Sequence, residues 1–196
     1  MSEVEIQIAG FGGQGVILAG MTIGRGLSLH EDYHVSLTQS FGPEARGSAC
    51  SVQLVVSREP VLYPYLRHSD ILVVLSQEAY RCFVPHMKPG GLLIIEEDLV
   101  HPGQLAENAT LDRVPATRLA EELKCKMVMN MVVVGFFTAV AGLLTPQAAR
   151  RAVVESVPKG TDALNLAAFE KGYQYGVAQI SSSASEGEIS NLLATI

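Results

Sequence analysis

The sequence predicts an α/β fold: a Rossmann-like open, mostly parallel sheet with helices on both faces and a helical C-terminal third. Three observations carry that expectation. Short apolar runs of strand length alternate with segments of helical spacing through Leu123. The first such run ends in a glycine-rich turn that opens a helix, and from Asn130 onward the pattern is helical alone.

Taken in order, EVEIQIAG alternates and then turns apolar, a strand running into the glycines. QGVILAGMTIGRGLS next places Val16, Ile17, Ala19, Ile23 and Leu27 near helical spacing. HEDYHVSLTQS reads as a turn and a second strand and ACSVQLVVS as a third, separated by the loop FGPEARGS. DILVVLS has the pattern of a buried strand, QEAYRCFVPHM that of a helix, and KPGGLLIIEED that of a turn and another strand. TLDRVPATRLAEEL gives a short strand and a helix. An apolar helix is expected from Asn130 to Leu144, a second after Thr145 with Pro146 in its first turn, and a third from about Asp162 to Ile180. No repeat or linker divides the chain, so residues 1–180 are expected to form one domain. The Ser-rich segment 181–196 is expected to be a flexible tail.

At 196 residues the chain can bury roughly 70% of the surface its unfolded form exposes. Its 48% hydrophobic and 17% charged content exceeds the apolar share one soluble monomer needs, which implies a surface covered by a partner. The net charge of -6, with Lys and Arg in no stripe, argues against nucleic acid. MSEVEIQIAG has no basic segment ahead of an apolar one, so the expected location is the cytoplasm. MVMNMVVVGFFTAVAGLL has the length of a membrane span. Asn130 and Thr138 interrupt it and no basic flank follows, so a buried helix is expected and no span. Cys50, Cys82 and Cys125 are far apart, giving no CxxC site and too few thiolates for an iron–sulfur cluster.

AGFGGQG sets Gly10, Gly12 and Gly15 in the G-x-G-x-x-G spacing, with Gly13 and the Gln14 amide between them. A strand-to-helix turn of this kind leaves helix N–H groups facing outward, ready for an anion. A dinucleotide also needs an acid at the end of the second strand, and here Glu31 and Asp32 precede that strand. The turn therefore stays open to NAD or FAD, to another phosphate-bearing ligand, to close packing against a subunit, or to strand-to-helix packing alone.

TQSFGPEARGS follows the second strand and should surface at the same sheet edge as the glycines. There Arg46 can grip a carboxylate or phosphate, or pair with Glu44. Five scattered histidines offer no metal-ligand spacing, and His34 reads as a turn residue. Glu96, Glu97 and Asp98 end a strand at the functional edge and read as a solvated acidic turn, with a cation or a ribose as the alternative. Ser76 and Asn130 read as helix caps, and Cys50 and Cys82 as buried small apolar residues.

GFGGQGVILAG, TQSFGPEARGSACS, YPYLRHSDILVVLSQEAY, MKPGG, VPATRLAEEL and NMVVVG together resemble the gamma subunit of the 2-oxoacid:ferredoxin (acceptor) oxidoreductases, most closely the 2-oxoglutarate type. The resemblance runs from about Ile6 to Gly176, and the pairing of GGQG with PEARG is its most specific part. It implies a non-catalytic but required subunit, inactive in isolation, of a complex that converts a 2-oxoacid and coenzyme A to acyl-CoA and carbon dioxide. Electrons pass to ferredoxin or another low-potential acceptor. Thiamine diphosphate, magnesium and the iron–sulfur clusters are implied on alpha and beta partner subunits and on a ferredoxin-like delta subunit where one exists. For this chain it implies a ligand edge made of Gly10, Gly12, Gly13, Gln14, Gly15, Glu44 and Arg46, open to coenzyme A. Two departures stand out: Ser48 replaces a glycine after PEARG, and Arg67 with His68 replaces a proline-containing approach to SDILV. The alternatives are a self-sufficient NAD-binding dehydrogenase and a pure scaffold with no small-molecule ligand.

Overall fold

The alternation in VEIQIAGF produces a strand, β1 (Val4–Phe11), whose six interior residues are all buried, as only a strand covered on both faces can be. The computed structural model describes residues 3–42, 49–105 and 107–193, with side chains described through residue 182. After β1 come α1 (Val16–His30), β2 (His34–Phe41), β3 (Ala49–Ser57), β4 (Ser69–Val74), α2 (Gln77–Phe83), β5 (Met87–Glu96) and β6 (Thr110–Val114). Four helices complete the chain: α3 (Ala116–Glu122), α4 (Met129–Ala141), α5 (Pro146–Ser156) and α6 (Asp162–Leu193).

The sheet order is β2-β3-β1-β4-β5-β6. β4 lies parallel to β1, β5 to β4 and β6 to β5, while β3 runs antiparallel to both β2 and β1. β2 therefore points the same way as β1, and the expected mostly parallel sheet is found with one reversed strand inside it.

Side-chain parity divides the core. Ile6, Ile8, Val52, Leu54, Ile71, Val73 and Ile94 join the face covered by α1 and the C-terminal helices. Ala9, Leu72, Val74, Leu93 and Ile95 join Ala79 and Tyr80 of α2 on the other. Away from α2 that second face turns polar, carrying Gln7, Ser51, Gln53, Thr38 and Ser40 across β1, β3 and β2.

The span-length apolar run became α4, buried on every side. Among the described residues no helix is long and apolar enough to cross a membrane. Gly135 explains how α4 is covered, because a Cβ there would strike the Phe169 carbonyl of α6, and one on Gly172 would strike the Val132 carbonyl of α4. Two glycines thus let the helix backbones touch. Several boundaries differ from expectation, that of α4 among them, which stops at Ala141 rather than Leu144 because Gly142 turns left-handed. The KPGG turn is absorbed into β5, where Gly90 takes φ +73° and the ladder to β4 shifts register. α6 runs beyond Ile180 to Leu193, and Ser181 and Ser182 hydrogen-bond back to the carbonyls of Val177 and Ala178, which pairs their hydroxyls inside the helix although such back-bonding slightly weakens it.

Candidate functional site

Strand register decides which loops share an edge. Gly10 and Phe41 both pair with Cys50, so β1 and β2 end beside the start of β3. The Gly42 N–H donates to the Ala49 carbonyl at 2.9 Å and closes the base of the β2–β3 connection. The glycine turn and that connection therefore surface side by side. Glu44, Arg46 and Ser48 lie outside the described residues. β4 ends at the same edge, its ladder extended by the Leu75 N–H donating to the Ala9 carbonyl at 2.8 Å.

Within the turn the glycines have unlike surroundings. A Cβ on Gly10 would strike Gln14 Oε1, and one on Gly15, at φ +72°, would lie 2.6 Å from the Asn130 amide. Gly13, at φ +102°, has nothing within 4 Å of that position among the described residues. Gly13 is thus the place where a ligand can approach the backbone. Among the described residues no side chain caps the N-terminus of α1, so its first N–H groups can take an acceptor from outside the helix.

Gln14, expected at the ligand mouth, is tied into the fold: Oε1 accepts the Phe11 N–H at 2.6 Å and Nε2 donates to the Leu75 carbonyl at 2.8 Å. Asn130 is not the cap of α4, a position held by Val128. Its Oδ1 accepts the Met131 N–H at 3.0 Å while its amide nitrogen sits 3.5 Å from the Gly15 carbonyl, so it wedges α4 against the turn.

Ser76 caps α2 as expected, accepting the Ala79 N–H at 3.2 Å. Glu96 departs from the solvated reading. It is fully buried, and its carboxylate accepts N–H groups from Asp98 and Leu99 at 2.8 Å and from Thr117 at 3.0 Å. Those donors stitch the end of β5 to the start of α3. Glu97 and Asp98 both bind Arg118 at 2.8 Å.

Between the hairpin base, the end of β1 and α2 lies a cavity of about 210 Å3 whose walls include Phe11, Phe41, Phe83, Cys50, Cys82 and Ser76. Its aromatics lie far apart in sequence, Phe11 in the glycine turn, Phe41 at the end of β2 and Phe83 at the end of α2, and only the fold brings them together. Cys50 is buried as expected, and burial pushes its thiol pKa up. Cys82 is exposed, since the short α2 turns it outward to the cavity rim. Among the described residues no group of three or more His, Cys, Asp or Glu side chains could hold a metal ion.

Residues 5–175 match the family model described as pyruvate ferredoxin/flavodoxin oxidoreductase. A 2-oxoglutarate synthase subunit KorC from Methanocaldococcus jannaschii is 43% identical over 172 residues, 87% of this chain and 92% of that one. The crystal structure of a keto/oxoacid ferredoxin oxidoreductase gamma subunit from Geobacter sulfurreducens PCA superposes with TM-score 0.79 at 30% identity, over 91% of this chain and 98% of that one. A 2-oxoglutarate:ferredoxin oxidoreductase from Magnetococcus marinus, with 2-oxoglutarate, coenzyme A and succinyl-CoA bound, shares the fold at TM-score 0.81 and 22% identity; 91% of this chain matches 32% of it.

Proposed function

Because the chain belongs to the pyruvate ferredoxin/flavodoxin oxidoreductase family, we propose that it is the gamma subunit of a 2-oxoglutarate-oxidising complex and that its glycine edge receives part of coenzyme A. The observation that carries this reading is the uncapped α1 N-terminus and open Gly13 beside an apolar cavity of about 210 Å3. Helix N–H groups suit a phosphate, and the aromatic walls suit an uncharged arm.

The other cofactors do not fit here. Three cysteines, one buried and one exposed, cannot cage an iron–sulfur cluster, and Glu96 and Asp98 are engaged by backbone and Arg118 rather than free for magnesium. Thiamine diphosphate and the clusters belong, on this reading, to alpha and beta subunits and a ferredoxin-like delta subunit. Thiamine diphosphate supplies the carbanion stabilisation that decarboxylation of a 2-oxoacid requires. This chain's own part is to bind and orient coenzyme A and to exclude water beside it. It is non-catalytic, inactive alone, and works in the cytoplasm, with ferredoxin or another acceptor taking the electrons through its partners.

The test is Gly12→Val in the assembled complex. The expected result is intact assembly with the KM for coenzyme A raised about tenfold or more, the loss of roughly one good phosphate contact. An unchanged KM and rate would make the chain a scaffold. Tight NADH binding by the isolated chain would make it a dehydrogenase instead.

A further inference from the structure

On the polar part of the α2 face, further along β1 and β3 from the apolar cavity, a second cavity of about 160 Å3 is lined by Gln7, Gln53, Arg67, His68, Ser69 and His86. Phe83 contributes to the walls of both cavities. Gln7 is 4% exposed and Ser69 2% exposed, and Gln7 Nε2 and Ser69 Oγ are buried without a hydrogen-bond partner among the described residues. Unpaired buried donors are uncommon in folded proteins, and two lining one cavity ask for a polar occupant.

Charge selects its sign. Among the described residues no carboxylate lies within ion-pair distance of Arg67, whose guanidinium stands 5.9 Å from the Tyr63 ring centre. The neighbouring carboxylate, Glu5, is already engaged: Oε1 accepts the Arg67 N–H at 2.8 Å and Oε2 pairs with Lys88 at 2.8 Å. The cavity therefore brings N–H and O–H donors together with a cation, Arg67, that has no carboxylate partner among the described residues. Its volume is close to the roughly 150 Å3 that holds a benzene ring, room for a phosphate or a short carboxylate but not a nucleotide.

We propose that this crevice binds a small oxoanion, a phosphate or a carboxylate group, through Gln7 Nε2 and Ser69 Oγ, with Arg67 supplying the charge and His68 and His86 further N–H donors. The site is separate from the glycine edge and stands whether or not coenzyme A binds there.

Calorimetric titration of the full chain at constant ionic strength tests it, with inorganic phosphate in one arm, succinate in another and chloride as control. Saturable one-site binding of phosphate or succinate is expected, weakened about tenfold in Arg67→Ala, whose exposed side chain can be removed without disturbing the core, and in Ser69→Ala. The arm that binds more tightly identifies phosphate or carboxylate as the ligand chemistry. Absence of saturable heat in both arms, or binding unchanged in both variants, would overturn the proposal and leave water as the occupant.

Discussion

The side-chain amide of Gln14 spans the turn to the end of β4, donating from Nε2 to the Leu75 carbonyl at 2.8 Å while its oxygen accepts the Phe11 N–H at 2.6 Å. The glycine turn is thus held by a side chain of its own sequence. Gln14→Leu keeps the bulk and removes both bonds, leaving a backbone donor and acceptor unpaired in a part-buried site. A loss of about 2 kcal/mol in urea-denaturation stability is expected. A change below about 0.5 kcal/mol, the ordinary surface range, would mean the amide is dispensable to the fold and free for a ligand.

Gly13 and Gly15 separate backbone strain from close packing. Both take positive φ, but only Gly15 faces another side chain, the Asn130 amide 2.6 Å from a would-be Cβ. Gly13→Ala should cost about 1 kcal/mol from the left-handed backbone alone. Gly15→Ala should cost more, and Asn130→Ala should recover part of that excess. Denaturant melts of the four proteins in a double-mutant cycle read the coupling directly, expected at about 1 kcal/mol. Zero coupling would mean that α4 yields rather than clashes.

These relationships explain how far the sequence could be read. The strand, turn and helix at the amino end follow from local pattern, and so does the shared edge, since β1 and β2 both lead into their loops at their carboxyl ends. Partners distant in sequence were not legible. Nothing near Gln14 announces Leu75, and nothing near Asn130 announces Gly15, 115 residues away. Glu96 looked like part of a solvated acidic run because three acids in succession carry no periodicity. Its burial depends on N–H groups supplied by α3. Gln7, in the centre of β1, is the local sign of the polar crevice, but one polar residue in an alternating strand does not announce the Ser69 hydroxyl that lies with it in the fold.

The Glu5–Lys88–Asp70 cluster makes stability depend on pH in two separate windows. Burial alone would raise the Glu5 carboxyl, but hydrogen bonds from Lys88 and from the Arg67 and His68 backbone hold it below its ordinary 4.5. A depressed carboxyl stabilises the fold above its unfolded pKa, and that contribution fades as pH falls from about 4.5 through the folded value. Burial pulls Lys88 down, and Asp70 and Glu5 more than reverse it, so its ammonium is held above 10.5. That contribution is complete below 10.5 and fades as pH rises through the folded value. Lys88→Met should flatten both limbs of a stability–pH curve measured by thermal melts from pH 3 to 11 while changing little in shape between them. Limbs as steep as in the parent would show that the cluster contributes nothing to either.

The two cysteines at the apolar cavity give a probe of who occupies it. Cys82 is exposed at the rim, whereas Cys50 is 8% exposed and its thiol is pushed up by burial, so less of it is thiolate at any pH near 8. Because the thiolate is the reacting species, Cys82 should react with an aromatic disulfide reagent at least about tenfold faster than Cys50 in the native protein. Both should react at similar rates once the chain is unfolded in guanidinium. An S-alkylated coenzyme A, whose blocked thiol cannot consume the reagent, would place its bulk between reagent and rim if it lay in the cavity, so its addition should slow Cys82 in the assembled complex and leave the unfolded rates untouched. Cys82→Ser should abolish the fast phase and so assigns it, and Cys125→Ser removes the third, partly exposed thiol from the trace. If the S-alkylated coenzyme A, at concentrations that block turnover, leaves the Cys82 rate unchanged, the cavity is not on the path of coenzyme A, and the glycine turn must do its binding without the aromatic walls beside it.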